Sequence, residues 1–307
     1  MNGNPITGVI NIYKEKGYTS HDVVAKMRGI LKTKKIGHTG TLDPDAEGVL
    51  PVCIGNATKL CELLMEKQKE YAAELILGKQ TDTQDISGTV LEESDSYQTL
   101  SEEEIRQAIL SFVGEYEQIP PMYSALKVNG KKLYELARNG IEVERKARNV
   151  YIYNVEIERI CIPTINIRVT CSKGTYIRTL CHDIGMKLGT FGCMGNLCRT
   201  KTGKFALEES IKLAELEELV SQGKLEESGV LIPTDEVLLD YPALFIQKTF
   251  FKLLDNGNPL MWDMFSETDL KKSDGNLYRV YDMNHKFVAV YRYYEKENIL
   301  KPEKMFK

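Results

Sequence analysis

At 307 residues, with 42% hydrophobic and 27% charged side chains, the chain has an ordinary globular make-up and is long enough for one large unit and a small one. No apolar run approaches the roughly 18 residues of a membrane span, and Met1-Asn2-Gly3-Asn4-Pro5 lacks the basic flank and apolar core of a signal peptide, so a cytoplasmic protein is expected. A net charge of −4 argues against a non-specific polyanion binder, and seven scattered cysteines suit buried free thiols better than a disulfide framework or a zinc site.

In chain order, Gly8–Tyr13 is a first strand, and Lys14 to Thr19 turns into a helix capped by Ser20 with an apolar stripe at Val23, Val24, Met27, Ile30 and Leu31. Gly37-His38-Thr39-Gly40-Thr41-Leu42-Asp43-Pro44 is a polar, glycine-punctuated loop running into the apolar strand Val49–Ile54. Pro44 presses Asp43 toward extended backbone, so a carboxylate is presented on a restrained loop. The plainest reading of Asp before Pro is a turn opener. A calcium loop is spelled in part, because Asp43, Asp45, Glu47 and Gly48 hold its first, third, fifth and sixth places. Its twelfth place, where a bidentate Glu belongs, is Ile54, so no metal is expected.

Farther on, Ala57–Glu66 reads as a helix, Tyr71–Leu77 as a strand, and Gly78–Asp85 as a loop whose Asp82 and Asp85 brace turns. Ser101 and Glu104 form a capping box for a helix through Phe112, closed by Gly114. From Ile119 to Gly140, basic side chains interleave with Tyr123 and Tyr134, a pattern that suits phosphates and splayed bases but that a plain surface insertion would share. Asn149–Ile160 and Ile165–Cys171 are long strands, and the second leads through Ser172–Thr175 to a helix with its stripe at Ile177, Leu180, Cys181, Ile184 and Leu188. With Thr175 as its cap, Arg178 falls in the first turn, where the helix dipole disfavours a cation, so a carboxylate from another segment could pair with it; the plainer alternative is a surface arginine paired with nothing.

Charge is unevenly spread. Seven basic residues between Arg168 and Lys204 meet only Asp183, and seven more between Lys127 and Arg148 meet three glutamates. Acidic residues gather from Glu208 to Asp240, read as a solvated face. From about Tyr241 the pattern turns to short strands, including Leu277–Met283 and Lys286–Tyr294 around Met283-Asn284-His285. Strands that are both paired and interrupted by helices predict an α+β fold with a mixed, mostly antiparallel sheet flanked by helices.

The loop around Asp43, continued by Gly48–Gly55 and Ala57-Thr58-Lys59, resembles the catalytic motif of the TruB-type tRNA pseudouridine synthases. Cys171–Leu180 and Leu197-Cys198-Arg199-Thr200 resemble two further motifs of that family in the same order, and Lys14, Gly17, Thr19 and Ser20 match its opening, with Glu15 where a proline is usual. The resemblance implies the pseudouridine synthase fold over residues 1–240, an RNA-gripping insertion at about 120–150, and a PUA-like RNA-binding module over 241–307. It implies Asp43 as the nucleophile, Arg178 as its partner and Tyr71 stacked on a flipped base, with Lys14, His38, Tyr176 and Leu197 around the substrate. Paired with Arg178, Asp43 would stay ionised while buried. The implied substrate is uridine 55 in the T arm stem-loop of tRNA, taken by a monomer with no cofactor, no metal and no required protein partner. Asp43 could add to C6 of the base, attack C1′, or abstract a proton toward a glycal. The rival readings are a non-catalytic tRNA-binding or tRNA-folding protein, a phosphate- or metal-dependent enzyme of nucleotide metabolism, and a guide-dependent pseudouridylase.

Overall fold

A computed structural model describes residues 6–128 and 130–306; the N-terminal residues read above for a leader lie outside them. The first sheet is built in chain order from β1 (Gly8–Lys14), β2 (Ile36–His38), β3 (Glu47–Ile54) and β4 (Lys69–Leu77). The hairpin β5 (Lys79–Thr81) and β6 (Val90–Glu93) stands apart from it, as does the small hairpin β8 (Lys127–Val128) and β9 (Lys131–Lys132) that follows β7 (Gly114–Gln118). Then come β10 (Arg148–Cys161), β11 (Thr164–Cys171), β12 (Gly192–Thr202) and β13 (Phe205–Ala206). The order across the sheet is β1-β3-β12-β4-β11-β10-β7, with β2 on β3 and β13 on β12. Every pairing is antiparallel except β3 with β12.

That parallel contact positions the site. β12 pairs with the start of β3 through Cys198↔Glu47 and Arg199↔Gly48, whereas β2 pairs with its end through Ile36↔Ile54 to His38↔Val52. The segment from Thr39 to Ala46 therefore leaves β2 and enters β3 where its neighbours divide. β12, inside the sheet between β3 and β4, was not among the predicted strands. It carries only a short apolar alternation, interrupted by a register shift between Met194 and Leu197.

The helices are α1 (Ser20–Leu31), α2 (Cys61–Met65), α3 (Glu102–Leu110), α4 (Leu133–Arg138), α5 (Ile177–Lys187) and α6 (Leu213–Ser221). The cap of α1 is Thr19, not Ser20: the Thr19 hydroxyl accepts from Asp22 N at 3.1 Å and the Asp22 carboxylate from Thr19 N at 2.8 Å. The capping box at Ser101 and Glu104 forms as predicted, but its helix ends at Leu110, and Gly114 opens β7. The acidic stretch after Glu208 is more than a solvated face, since α6 buries Leu213 and Leu216 in one cluster with Val23, Val24 and Met27 of α1. The seven cysteines are free; Cys53, Cys171, Cys181 and Cys193 are buried, Cys61 and Cys198 half-buried, and Cys161 is exposed, contrary to expectation.

The two halves of the sheet are covered differently. Around β3, α1 and α6 pack on one side and a second apolar cluster on the other, which is why Val49–Ile54 reads as a continuous apolar run. The half made of β4, β11, β10 and β7 buries one side against α3 and α5. Its other side is open and carries Glu70, Glu115, Glu117, Glu156 and Glu158, with Arg168 ion-paired to Glu70 and Glu158.

Beyond α6, β14 (Ala243–Phe245), β15 (Leu260–Met261), β16 (Leu277–Tyr281), β17 (Phe287–Tyr294) and β18 (Ile299–Met305) form a five-stranded sheet ordered β14-β16-β17-β18-β15, with α7 (Phe251–Asp255) between β14 and β15 in the chain. It has its own core around Leu244, Leu254, Leu260, Tyr278 and Tyr291. Val290, with Leu277, Phe287 and Phe306, also joins the cluster of Val9, Val49, Cys53, Leu60 and Leu64 beneath β3. Lys59 Nζ donates to the Met305 carbonyl at 2.6 Å, and Lys304 pairs with Glu62.

Candidate active site

Asp43 projects from a loop pinned on both sides. Leu42 and Ala46 are buried in the core, Leu42 N donates to Ser20 Oγ at 2.9 Å, and Thr39 N donates to the Pro51 carbonyl at 3.1 Å. Ser20 thus ties the loop to α1 while Thr19 caps the helix. Ala46 N donates to the Asp43 carbonyl at 3.1 Å, so the turn expected of Asp-Pro is present. Gly17 N donates to the Pro44 carbonyl at 2.9 Å, and the wholly buried Lys14 gives its Nζ protons to the carbonyls of Ala46, Pro44 (3.1 Å) and Glu15 (3.3 Å). With glutamate at 15, Lys14 still aims at the loop that carries Asp43.

Burial pulls the Lys14 ammonium down to about 8, against the opposing charges of Asp43 and Asp45. As pH rises through that value Lys14 keeps two protons for three carbonyls, and the rate at saturating substrate is expected to fall with a midpoint near 8. Stability should move the other way: the folded value lies below the ordinary 10.5, so folding favours the neutral amine and unfolding becomes harder as pH climbs between the two. Single-turnover rates and melting midpoints measured against pH check both signs; in Lys14→Met the alkaline limb of the rate should vanish, while the rise in stability should shrink and persist in part, because burial holds Lys69 at about 8 as well.

Arg178 is 5% exposed and uses its whole fork. Nε meets Asp43 Oδ2 at 2.9 Å and Nη2 meets Oδ1 at 3.3 Å, Nη2 also donates to the Tyr123 carbonyl at 2.8 Å, and Nη1 donates to the Thr83 carbonyl at 3.0 Å. Asp85 Oδ2 stands 3.8 Å from Nη1. These partners offset the unfavourable dipole at the start of α5 and fix the Asp43 carboxylate in a bidentate grip. Asp43 is not buried, however. Its side chain is 41% exposed, because the loop brings it to the mouth of the fork, and it stays open to an incoming ligand.

Asp82 and Asp85 brace the loop over α5, as expected. Asp82 Oδ1 accepts from Thr89 N at 2.8 Å and Asp85 Oδ1 from Ser87 N at 3.1 Å. The second role of Asp85, beside Arg178, was not foreseen. Nor was Thr175 found at the cap of α5: its hydroxyl donates to the Ser172 carbonyl, and Tyr176 is the N-cap, without a capping side chain.

The remaining candidates lie around this pair. Tyr71 on β4 is buried opposite Arg199 of β12; burial pushes its phenol up, with Arg199 pulling against it, so at neutral pH it is an uncharged ring. Leu197 pairs with Ala73, two residues from Tyr71, and belongs to the same apolar cluster as Leu42, Tyr71 and Ile177. Tyr176 is half-buried two residues before Arg178. His38 lies edge-on to His21 at 5.4 Å, and its Nδ1 accepts from Gly40 N at 3.3 Å. Burial, then His21 and Arg199, hold His38 below its ordinary range, so the imidazole is neutral.

Arg199 was quoted within a motif but not singled out. It is 1% exposed, with Nε donating to the Val49 carbonyl at 2.7 Å and Nη2 to the Gly40 carbonyl at 3.3 Å, and so ties both arms of the Asp43 loop to β12. Gly48 makes that approach possible: its φ is +104°, and a Cβ there would lie 2.3 Å from the Arg199 carbonyl oxygen. A buried arginine bonded to backbone carbonyls leaves no pattern in sequence, but its place on an alternating segment was a signal. Among the described residues there is no group of three or more His, Cys, Asp or Glu able to hold a metal ion.

The chain matches the family model described as TruB family pseudouridylate synthase (N terminal domain) over residues 28–177, and that of the tRNA pseudouridylate synthase B C-terminal domain over 178–239. It is 50% identical to the tRNA pseudouridine synthase B of Lachnoclostridium phytofermentans, covering 98% of this chain and 100% of that one. Against the protein of the same description from Bacillus pumilus the identity is 44%, covering 98% and 97%. Among solved structures it resembles a chain of a Cbf5-Nop10-Gar1 complex, with a TM-score of 0.76 at 28% identity over 98% of this chain and 85% of that one. A chain of an H/ACA RNP bound to a substrate RNA is similar at a TM-score of 0.74 and 27% identity, with the same coverage.

Proposed function

The chain belongs to the TruB family of pseudouridylate synthases, and from that membership we propose that it isomerises uridine 55 in the T loop of tRNA to pseudouridine, with Asp43 as the nucleophile and without a cofactor. It is an enzyme that forms pseudouridine in tRNA. The observation that carries the residue roles is the bidentate grip of buried Arg178 on half-exposed Asp43. An acid held in one orientation but still open to solvent is set to be desolvated by the substrate that covers it.

The reaction breaks the N1–C1′ bond, turns the uracil and joins C5 to C1′; the proton on C5 leaves to solvent and N1, freed from the sugar, takes one up. The uridine must first leave its loop, which costs a few kcal/mol. Tyr71 offers its neutral ring for stacking, Tyr176 and Leu197 wall the base, and His38 fills the space beside it. Lys14 holds the Asp43 loop. Between β7 and β10 the insertion offers Lys127, Lys131, Lys132 and Arg138, with Lys132 and Arg138 over the ring of Tyr134, as a grip on phosphates. We place the enzyme in the cytoplasm as a monomer that needs no guide RNA or protein partner.

A T-arm stem-loop labelled with tritium at C5 of the target uridine tests the reading. Release by the chain alone, with excess chelator, is expected. Tight binding without release would favour the non-catalytic tRNA-binding protein, and release only with guide RNA and partners would favour a guide-dependent enzyme.

In this reading residues 1–240 carry the chemistry and 241–307 are a PUA-like module that adds affinity. Truncation after Asp240 is expected to raise the Kd for tRNA about tenfold while turnover at saturating RNA persists. Because the truncation also uncovers Val9, Val49 and Leu60, both constants should be measured well below the melting midpoint. A folded truncate with no chemistry would count against the division.

A further inference from the structure

Helix α5 carries Arg178 yet begins without a capping side chain on its own strand of sequence. Its N-cap residue, Tyr176, is held from across the fold by Gln118, the last residue of β7. Gln118 Oε1 accepts from Tyr176 N at 2.8 Å and Gln118 Nε2 donates to the Tyr176 carbonyl at 2.9 Å, with the side chain 1% exposed. One amide therefore takes both backbone groups of Tyr176, as a neighbouring strand would. The Tyr176 carbonyl also accepts from Leu180 N at 3.1 Å, within α5, so a rotation that re-aims the Tyr176 ring or swings the first turn of α5 breaks both Gln118 bonds and leaves Tyr176 N and the buried Gln118 amide unpaired.

Five residues past Gln118, the Tyr123 carbonyl accepts from Arg178 Nη2 at 2.8 Å. Pro120 and Pro121 lie between these anchor points and restrict φ there. A short, stiff span thus grips α5 twice, at the backbone of Tyr176 and at the guanidinium of Arg178. Just beyond Tyr123 the chain enters the basic hairpin β8–β9 and α4.

We propose that Gln118 is a positioning residue for the reaction, acting through Tyr176 and Arg178, and that the span from Gln118 to Tyr123 couples capture of a polyanionic RNA stem-loop by the insertion to alignment of Arg178 with Asp43. The proposal rests on the functional reading above.

Gln118→Met removes both bonds at similar volume. At saturating T-arm stem-loop its single-turnover rate is expected to fall between about tenfold and a hundredfold, with the RNA Kd within about threefold of the parent. Gln118→Glu keeps an acceptor for Tyr176 N but sets a carboxylate against the Tyr176 carbonyl until it is protonated. Its rate relative to the parent should recover as pH is lowered from about 8 to about 5.5, because a protonated Glu can donate as Gln does. Hydrogen exchange supplies the coupling readout: a stem-loop with cytidine at the target position should protect the first amides of α5 in the parent and not in Gln118→Met. An unchanged saturating rate in Gln118→Met, a defect confined to Kd, or equal protection in both proteins would overturn the proposal. A parent chain that shows the protection but turns nothing over would overturn the functional reading instead, and the exchange data would still decide the coupling.

Discussion

Asp43→Asn is expected to bind a T-arm stem-loop at least as tightly as the parent and to release tritium from C5 of its uridine at a residual rate of about 10⁻⁴ of the parent's or lower. The amide keeps the volume and one acceptor toward Arg178 Nε, which stands 2.9 Å from the carboxylate; its NH2 then faces Nη2, which still has the Tyr123 carbonyl, and Leu42 N on Ser20 Oγ continues to hold the loop. It also removes a negative charge from a surface that must approach phosphates, which favours binding. What is lost is the nucleophile, and removal of such a group costs about 10⁴-fold or more. Equal release by parent and variant would show that another group attacks. Release that falls only as far as binding falls would reduce Asp43 to a contact residue.

Arg178→Lys is expected to be nearly as damaging despite keeping the charge. A lysine ammonium cannot present the planar fork that meets both carboxylate oxygens, and it leaves the carbonyls of Thr83 or Tyr123 short of a donor. The rate at saturating RNA should fall by about 10² to 10³, the range for removing one pre-organised electrostatic contact, with fold checked by melting. Because the arginine acts by orienting Asp43, the two effects should not add: Asp43→Asn with Arg178→Met should be no slower than Asp43→Asn alone. A further loss in the double variant would mean that Arg178 has work of its own on the substrate.

The sequence was most legible where chemistry and local geometry coincide. Asp43 before Pro44, in a loop punctuated by glycine, and Arg178 in the first turn of a helix each announced a need, one for restraint and the other for a carboxylate, and the structure brings the two together across 135 residues. Alternation and capping gave most of the strands and helices. What failed to show was settled by partners distant in sequence. Thr19 and Ser20 are both good caps, and only the contact with Leu42 N tells which is spent on the loop. Thr175 had the right chemistry for a cap, but α5 has no capping side chain, and its N-cap residue Tyr176 is held instead by Gln118, reached only through the sheet. The expected burial of Asp43 followed from pairing alone, whereas its exposure depends on where β2 and β12 part along β3. α6 was hidden by glutamates on its outer side, and β12 by its register shift.

The open side of the sheet bears on how the substrate arrives. Glu70 and Tyr71 are neighbours on β4 and point to opposite sides, so the glutamates of the open side look away from the pocket that Tyr71 helps to build. The insertion gathers positive charge, and the chain as a whole is negative at −4. The molecule is therefore an electric dipole, and a polyanion drifting toward it is repelled from one side and turned toward the other before any contact is made. Selectivity for one docking pose starts in the encounter itself, and added salt should slow association more than it hastens departure.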